Sequence, residues 1–368
     1  LRRRAIAPVP RLAAVRAATY LLPMRADDLL TVTDRGLYCA AGDFHVDPWR
    51  PVDRAVITHG HSDHARPGHQ HYLASPAAAP AIRHRLGVAV ETLAFGAPRG
   101  IGPVTLSLHP AGHLPGSAQV RIEHRGEVWV VSGDYKVARD RLSEPFEPVA
   151  CHTFITECTF GLPVFRWRTE AESMAEVNAW WAANRAAGRF SLLGAYTLGK
   201  AQRLLAGIEA GQGPILTHGA VENINEVLRA QGLRLPATIR VTPDLDLTAH
   251  AGALVVAPPS ALGSPWARRF GQASDAFASG WMALRGVRRR RAADRGFVIS
   301  DHADWPGLEA AIRATGATRV IATHGYTAAF SRWLESQGWE AGVVATEFTG
   351  ESLDTAEAED APAPDPAP

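Results

Sequence analysis

Thr58-His59-Gly60-His61-Ser62-Asp63-His64 is the stretch from which the rest of the chain is read. Arg54-Ala55-Val56-Ile57 precedes it, an apolar run of the kind that makes a short buried strand. The imidazoles and the carboxylate therefore fall on the loop at that strand's end. Three histidines and one aspartate within six positions point to a metal rather than to a polar surface loop. Imidazole and carboxylate together suit Zn²⁺ and related divalent ions. His59 and His61 sit two apart, so an extended segment can turn both to one ion. Asp63 and His64 follow at once and can serve a second.

Further along, the same residue types recur at strand ends. Residues 104–108 and 118–122 alternate like half-buried strands. Between them lies Pro110-Ala111-Gly112-His113-Leu114-Pro115-Gly116-Ser117, where glycine leaves the histidine unobstructed. Val128-Trp129-Val130-Val131 is a buried strand that ends at Ser132-Gly133-Asp134. Coming after the opening motif in this order, His113 and Asp134 are the expected later ligands.

The order His-x-His-x-Asp-His is the signature of the metallo-β-lactamase superfamily, and residues 59–64 resemble it without departure. A narrower resemblance follows. Phe154-Ile155-Thr156-Glu157-Cys158-Thr159-Phe160-Gly161 is similar to the first extra motif of the β-CASP nucleases. That family includes Artemis-like DNA nucleases, ribonuclease J and the pre-mRNA 3′-end endonuclease. Phe297-Val298-Ile299-Ser300-Asp301-His302-Ala303-Asp304, read as a strand and then a histidine, resembles the second motif. Val320-Ile321-Ala322-Thr323-His324-Gly325 resembles the third.

The resemblance implies an α/β protein, a metallo-β-lactamase αββα sandwich with an inserted β-CASP α/β domain. Residues 24–162 and 296–350 would form the sandwich and residues 163–295 the insertion. Two divalent ions are implied, Zn²⁺ first and Mn²⁺ second. His59, His61 and His113 would hold one, Asp63, His64 and His324 the other, and Asp134 would bridge them. Asp63 would also belong to the catalytic group, with His302 as general acid and Glu157 orienting it, while a water between the ions attacks a phosphodiester. An upstream aspartate orients the histidines in the superfamily; Asp43 and Asp47 both stand where it would be.

Composition agrees with an insertion. Residues 171–187 and 198–205 have helical character, and residues 191–195, 215–217 and 253–257 are strand-like. Strands alternating with helices make a parallel sheet. The helix start Gly199-Lys200 can hold a phosphate or simply pack on the sheet. Arg285, Arg288, Arg289, Arg290, Arg291 and Arg295 are either a solvated face or a contact to a phosphate backbone. Ser300, Lys200, Arg288 and Arg289 are the candidate substrate contacts.

At about 100–200 residues per domain, the 368 residues suit two domains. No apolar run reaches the roughly 18 residues of a membrane span, so no membrane partner is expected. The net charge of +1 hides a basic head at residues 1–23 and an acidic tail at residues 351–368. The head reads as a disordered extension, with Met24 the expected start; a basic nucleic-acid-binding arm is the other reading. The Ala/Pro/acid tail cannot build a core and is expected to be disordered. Cys39, Cys151 and Cys158 form no framework, which fits a reducing cytoplasm.

For the substrate, the longest match is residues 42–51 followed by His-x-His-x-Asp-His-Ala-Arg-Pro-Gly at residues 59–68. It looks most like the bacterial DNA-ligase-associated exonuclease subgroup. That resemblance implies a DNA-repair exonuclease with an ATP-dependent DNA ligase and a helicase as partners. His324 pulls the other way, because histidine at the third motif goes with RNA substrates across the family. RNA processing is therefore the second expectation. A small-molecule metallo-hydrolase is a third, but has no use for Glu157, His302 or the insertion.

Overall fold

The computed structural model describes residues 28–290 and 293–348. The extension at residues 1–23, Arg291 and the tail at residues 351–368 lie outside them.

Three sheets organise the described residues. The first holds β1 (Thr31–Thr33), β2 (Gly36–Cys39), β3 (Phe44–Val46), β4 (Arg54–Val56), β5 (His71–Ala74) and β6 (Glu91–Thr92), side by side in that order. The next five strands are β7 (Arg99–Ile101), β8 (Val104–Pro110), β9 (Ala118–His124), β10 (Glu127–Val131) and β11 (Thr153–Cys158). They share the second sheet with two strands from the far end of the chain, β18 (Arg319–Gly325) and β19 (Glu340–Val343). Its order is β19-β18-β11-β10-β9-β8-β7. Between β11 and β18 the chain builds the third sheet from β12 (Ser191–Gly194), β13 (Ile215–Thr217), β14 (Ile239–Arg240), β15 (Leu254–Ala257), β16 (Ser274–Ala278) and β17 (Arg295–Phe297). Every pairing in that sheet is parallel.

Strand alternation sets the layers. Trp129 and Val131 of β10 face a core shared with Leu37, Phe44 and Val56 of the first sheet. Val128 and Val130 face the other way, toward α7 (Trp305–Thr315) and α8 (Thr327–Ser336). In the first sheet Val56 points inward, while Ala55 and Ile57 meet α1 (Ala79–Leu86) on the outside. A period of two thus gives each sheet two apolar faces, one for the other sheet and one for helices. The third sheet has its own core against α2 (Glu170–Ala186), α3 (Lys200–Gly207) and α4 (Gly219–Ala230). α5 (Pro265–Arg268) and α6 (Arg285–Arg290) complete the helices. Thr169 and Glu172 form a capping box that fixes where α2 begins. No described helix is long and apolar enough to cross a membrane.

One reading of the strands is corrected. The sequence places a strand at residues 297–300, directly before His302. The structure ends that strand at Phe297 and pairs it with β16 at the edge of the third sheet. Residues 298–301 become the return path toward the second sheet. Burial, common to both kinds of segment, is what the apolar pattern reported.

Inside the third-sheet unit, Glu222 of α4 ties two strands together. Its carboxylate accepts hydrogen bonds from Thr217 (2.7 Å), Thr238 (2.6 Å), Asn225 (2.9 Å) and Arg229 (2.6 Å). Burial alone would raise its pKa, but these donors hold it down to about 2. The stability it contributes is present above the ordinary value of 4.5 and is lost as pH falls toward about 2. We expect Glu222→Gln to melt below the wild type at pH 7, with the gap narrowing as pH drops through that window. Thermal melts at both ends check it; a constant gap would mean the carboxylate's charge contributes nothing.

Candidate metal centre

β4 delivers the chain to Thr58 at the edge of the two-sheet core, as its apolar run requires. Asp47, just after β3, then braces the loop. Its carboxylate accepts from Thr58 N (2.7 Å), Thr58 Oγ1 (2.6 Å) and His64 Nδ1 (2.7 Å). Asp47 holds a φ of 43°, an uncommon conformation away from glycine, which these three bonds offset. Asp43 instead bonds the Tyr38 hydroxyl (2.9 Å) at an exposed position. Spacing left the two aspartates equivalent; the hydrogen bonds separate them.

Three imidazole nitrogens converge. His61 Nδ1 lies 3.2 Å from His59 Nε2 and 3.1 Å from His113 Nε2. The opposite nitrogen of each ring is engaged by an acceptor. His61 Nε2 donates to the Leu198 carbonyl (3.1 Å) and His113 Nδ1 to the Asp301 carbonyl (3.0 Å). His59 Nδ1 meets Thr58 Oγ1 (3.0 Å), whose own hydrogen goes to Asp47. With their hydrogens placed there, the converging atoms are three lone pairs. Burial, then neighbouring charge, holds His59 and His113 well below the ordinary histidine pKa, so the rings stay neutral. Lone pairs packed this closely repel unless a cation sits among them. Nitrogens bound at about 2.0–2.1 Å to a tetrahedral ion lie about 3.3 Å apart. The donor set therefore fits an ion such as Zn²⁺.

A second group shares Asp134. His324 Nε2 is 2.9 Å and His64 Nε2 3.5 Å from Asp134 Oδ1, and His64 Nε2 is 3.7 Å from Asp63 Oδ2. His64 Nε2 is buried without a hydrogen bond. His324 Nδ1 meets Thr323 Oγ1 (2.9 Å), which donates to the Thr156 carbonyl. Burial would lower the pKa of His64, but Asp63, Asp134 and Asp47 raise it to about 10. That surplus of negative charge is what a second cation would meet. Asp134 Oδ2 faces the first group, 3.6 Å from His59 and 3.8 Å from His113. Three groups of side chains could hold metal, all sharing Asp134: with His59, His61 and His113, with His64 and His324, and with Glu157 and His302. Phe348 closes the outer side, stacked on His64 at 4.4 Å and edge-on to His324 at 5.6 Å.

Glu157, at the end of β11, holds His302. His302 Nδ1 lies 2.9 and 2.8 Å from the two Glu157 oxygens and 4.0 Å from Asp134 Oδ2. Glu157 also accepts from Tyr135 N (2.8 Å), which fixes its carboxylate in place. Behind the ring, Trp167 Nε1 donates to the His302 carbonyl and Phe160 stands 5.9 Å away.

Of the candidate substrate contacts, Ser300 and Lys200 are buried beside the site and Arg288 and Arg289 lie on α6. Ser300 is buried and its hydroxyl accepts from His302 N. Lys200 is 1% exposed, its ammonium 3.7 Å from Asp301. Arg288 and Arg289 are exposed on α6; Arg288 lines a 430 Å³ cavity with Arg168 and Arg295. Four contributors went unread in the sequence: the carbonyls of Leu198 and Asp301, the Arg203 guanidinium and the Phe348 ring. A carbonyl has no residue signature, so no motif could announce the first two.

No protein-family model matches the chain. It is 31% identical over 314 residues to a "Probable DNA ligase" of Opitutus terrae, an alignment covering 84% of this chain and 30% of that protein. It is 32% identical over 119 residues to "Endoribonuclease ysh1" of Aspergillus fumigatus, and 32% identical over 123 residues to the same-named protein of Emericella nidulans. Those stretches cover 32% and 33% of this chain, and the chain spans only 13% and 14% of the fungal proteins. A solved structure of a protein of unknown function from Enterococcus faecalis shares the fold, with a TM-score of 0.55 at 11% identity over 78% of each chain. The chain is thus a mixed α/β protein related in sequence to proteins named for work on nucleic acids.

Proposed function

We propose that this chain is a metal-dependent phosphodiesterase of the β-CASP metallo-β-lactamase type, acting on DNA as an exonuclease alongside an ATP-dependent DNA ligase. In this reading, the described residues 28–162 and the return from residue 298 to 348 form the αββα sandwich. The inserted β-CASP domain would run from residue 163 to 297. Its end moves from residue 295 because Arg295–Phe297 pairs with β16. The observation that carries the reading is the His302–Glu157 pair beside Asp134, for which a lactam or thioester hydrolase has no use. The relative named as a DNA ligase supports the DNA assignment.

Held by the two clusters, divalent cations would acidify water and offset charge on a phosphoryl group. The chain's own residues do the rest. Glu157 holds the Nδ1 proton of His302 and fixes the tautomer, so Nε2 is the atom that protonates the departing sugar oxygen. The aromatic wall of Phe160 and Trp167 keeps that imidazole in place. Asp47, Thr58 and Thr323 hold the ligand rings in register.

A second reading, an RNA-processing nuclease, rests on His324 and on the fungal relatives named as endoribonucleases. Single-stranded DNA and RNA of equal sequence, labelled at either end, decide between the two. Shortening of DNA from one end is the expected result. Preference for RNA favours the second reading, and no cleavage of either by metal-loaded protein overturns both. We also expect Arg288→Ala with Arg289→Ala to flatten the salt dependence of binding by about 0.7 per lost phosphate contact. An unchanged slope would make α6 a solvated face.

A further inference from the structure

We infer that the first metal cluster is completed from the third-sheet unit: the segment leading into α3, through the Leu198 carbonyl and the Arg203 guanidinium, fixes the imidazoles of His61 and His113. Metal retention and the seating of this segment then form one equilibrium. The inference rests on the metal reading above.

His59 takes its outer hydrogen bond from Thr58, inside its own loop. The other two rings do not. His61 Nε2 depends on Leu198, which is 137 positions away in sequence. Leu198 is pinned there by an apolar cluster with Ala81, Leu114, Ile224 and Leu228. Gly199 follows with a φ of +91°, and a Cβ there would meet Leu114 Cβ at 3.2 Å. The segment thus approaches the His113 loop as closely as side chains allow.

His113 Nδ1 depends on the Asp301 carbonyl, and Arg203 holds that residue. Arg203 is 5% exposed. It donates to Asp301 Oδ1 (2.8 Å), to the Ser300 carbonyl (3.1 Å), to the His113 carbonyl (2.9 Å) and to Asp140. One planar fork therefore ties the His113 loop, the turn at Asp140 and the His302 loop to α3. Lys200 lies 3.7 Å from the same Asp301 carboxylate. Pointed inward, Arg203 cannot touch substrate; it is a positioning residue. Loss of an outer hydrogen-bond partner typically weakens metal binding about 10–100-fold. Linkage makes the effect reciprocal, so bound metal must hold the segment by the same factor.

The full-length chain tests this with zinc alone as probe. Zn²⁺ affinity is measured by chelator competition, and the Co²⁺-loaded absorption spectrum reports the ligand field. Hydrogen exchange of residues 198–207 is followed with and without zinc. Arg203→Met should bind zinc about 10–100-fold more weakly and change the cobalt spectrum, with Arg203→Lys recovering part of the affinity. Zinc should slow exchange of residues 198–207 in the wild type. Arg229→Met, a buried-network change elsewhere in the unit, should lose stability but keep metal affinity. If Arg203→Met does not fold, Lys200→Met should show a smaller loss of affinity in the same direction. A folded Arg203→Met with wild-type affinity and spectrum overturns the inference, as does wild-type exchange indifferent to zinc. A wild type that binds no zinc overturns the metal reading itself, and this inference with it.

Discussion

His302→Ala is expected to cut nucleic acid roughly 10²–10⁴-fold more slowly than the wild type while keeping its metal. The imidazole is fixed by both Glu157 oxygens and sits 4.0 Å from Asp134. A general acid matters in proportion to how poor the leaving group is. A sugar alkoxide needs its proton; a nitrophenolate does not. The variant should therefore be partly rescued on a nitrophenyl phosphodiester. Glu157→Gln should show a weaker form of the same pattern, since its carboxylate acts through the ring. Metal content separates the outcomes. Should His302→Ala lose metal, or be equally inactive on the activated ester, His302 is a ligand or a binding group and the mechanism fails at the proton.

Asp134→Asn should be the most damaging single change, abolishing detectable cleavage. Its two oxygens face different clusters, Oδ2 toward His59 and His113 and Oδ1 toward His64 and His324. Losing that charge weakens both, whereas His61→Ala strips one. At zinc near 100 times its dissociation constant, binding stabilises the folded chain by about 2.7 kcal/mol. We expect the wild-type melting temperature to rise with zinc, His61→Ala to keep part of the rise, and Asp134→Asn to lose it. Full activity of the wild type after exhaustive chelation would contradict the prediction outright.

The residues with a chemical signature were legible in the sequence. Histidines and acids at the ends of apolar runs could be named because a strand must deliver its last residues to an edge. The strand-and-helix alternation of residues 163–295 announced a parallel sheet, and the third sheet is one. Where two residues of one type stood close together, as with Asp43 and Asp47, only the fold separated them. Gly199-Lys200 leaves two readings open in a different way. A glycine before a helix suits a phosphate and equally suits close packing; Lys200 is buried, and a Cβ at Gly199 would meet Leu114. Arg203 lay inside a stretch read only for its helix, because a buried arginine and an exposed one look alike in a sequence. Position 297 shows the same limit: burial was legible, the sheet that provides it was not.

Lys136 and Lys200 are the only lysines in the chain. The Lys136 ammonium donates to the Ser300 carbonyl at 2.6 Å, and Lys200 is 1% exposed at the junction beside Asp301. Lys136 is half-buried and burial lowers its pKa to about 8, so an acylating reagent has that amine within reach, whereas Lys200 is closed off at the junction between the two units. Amine labelling becomes a clock for their separation: a mass shift at Lys200 records a moment when the junction stood open.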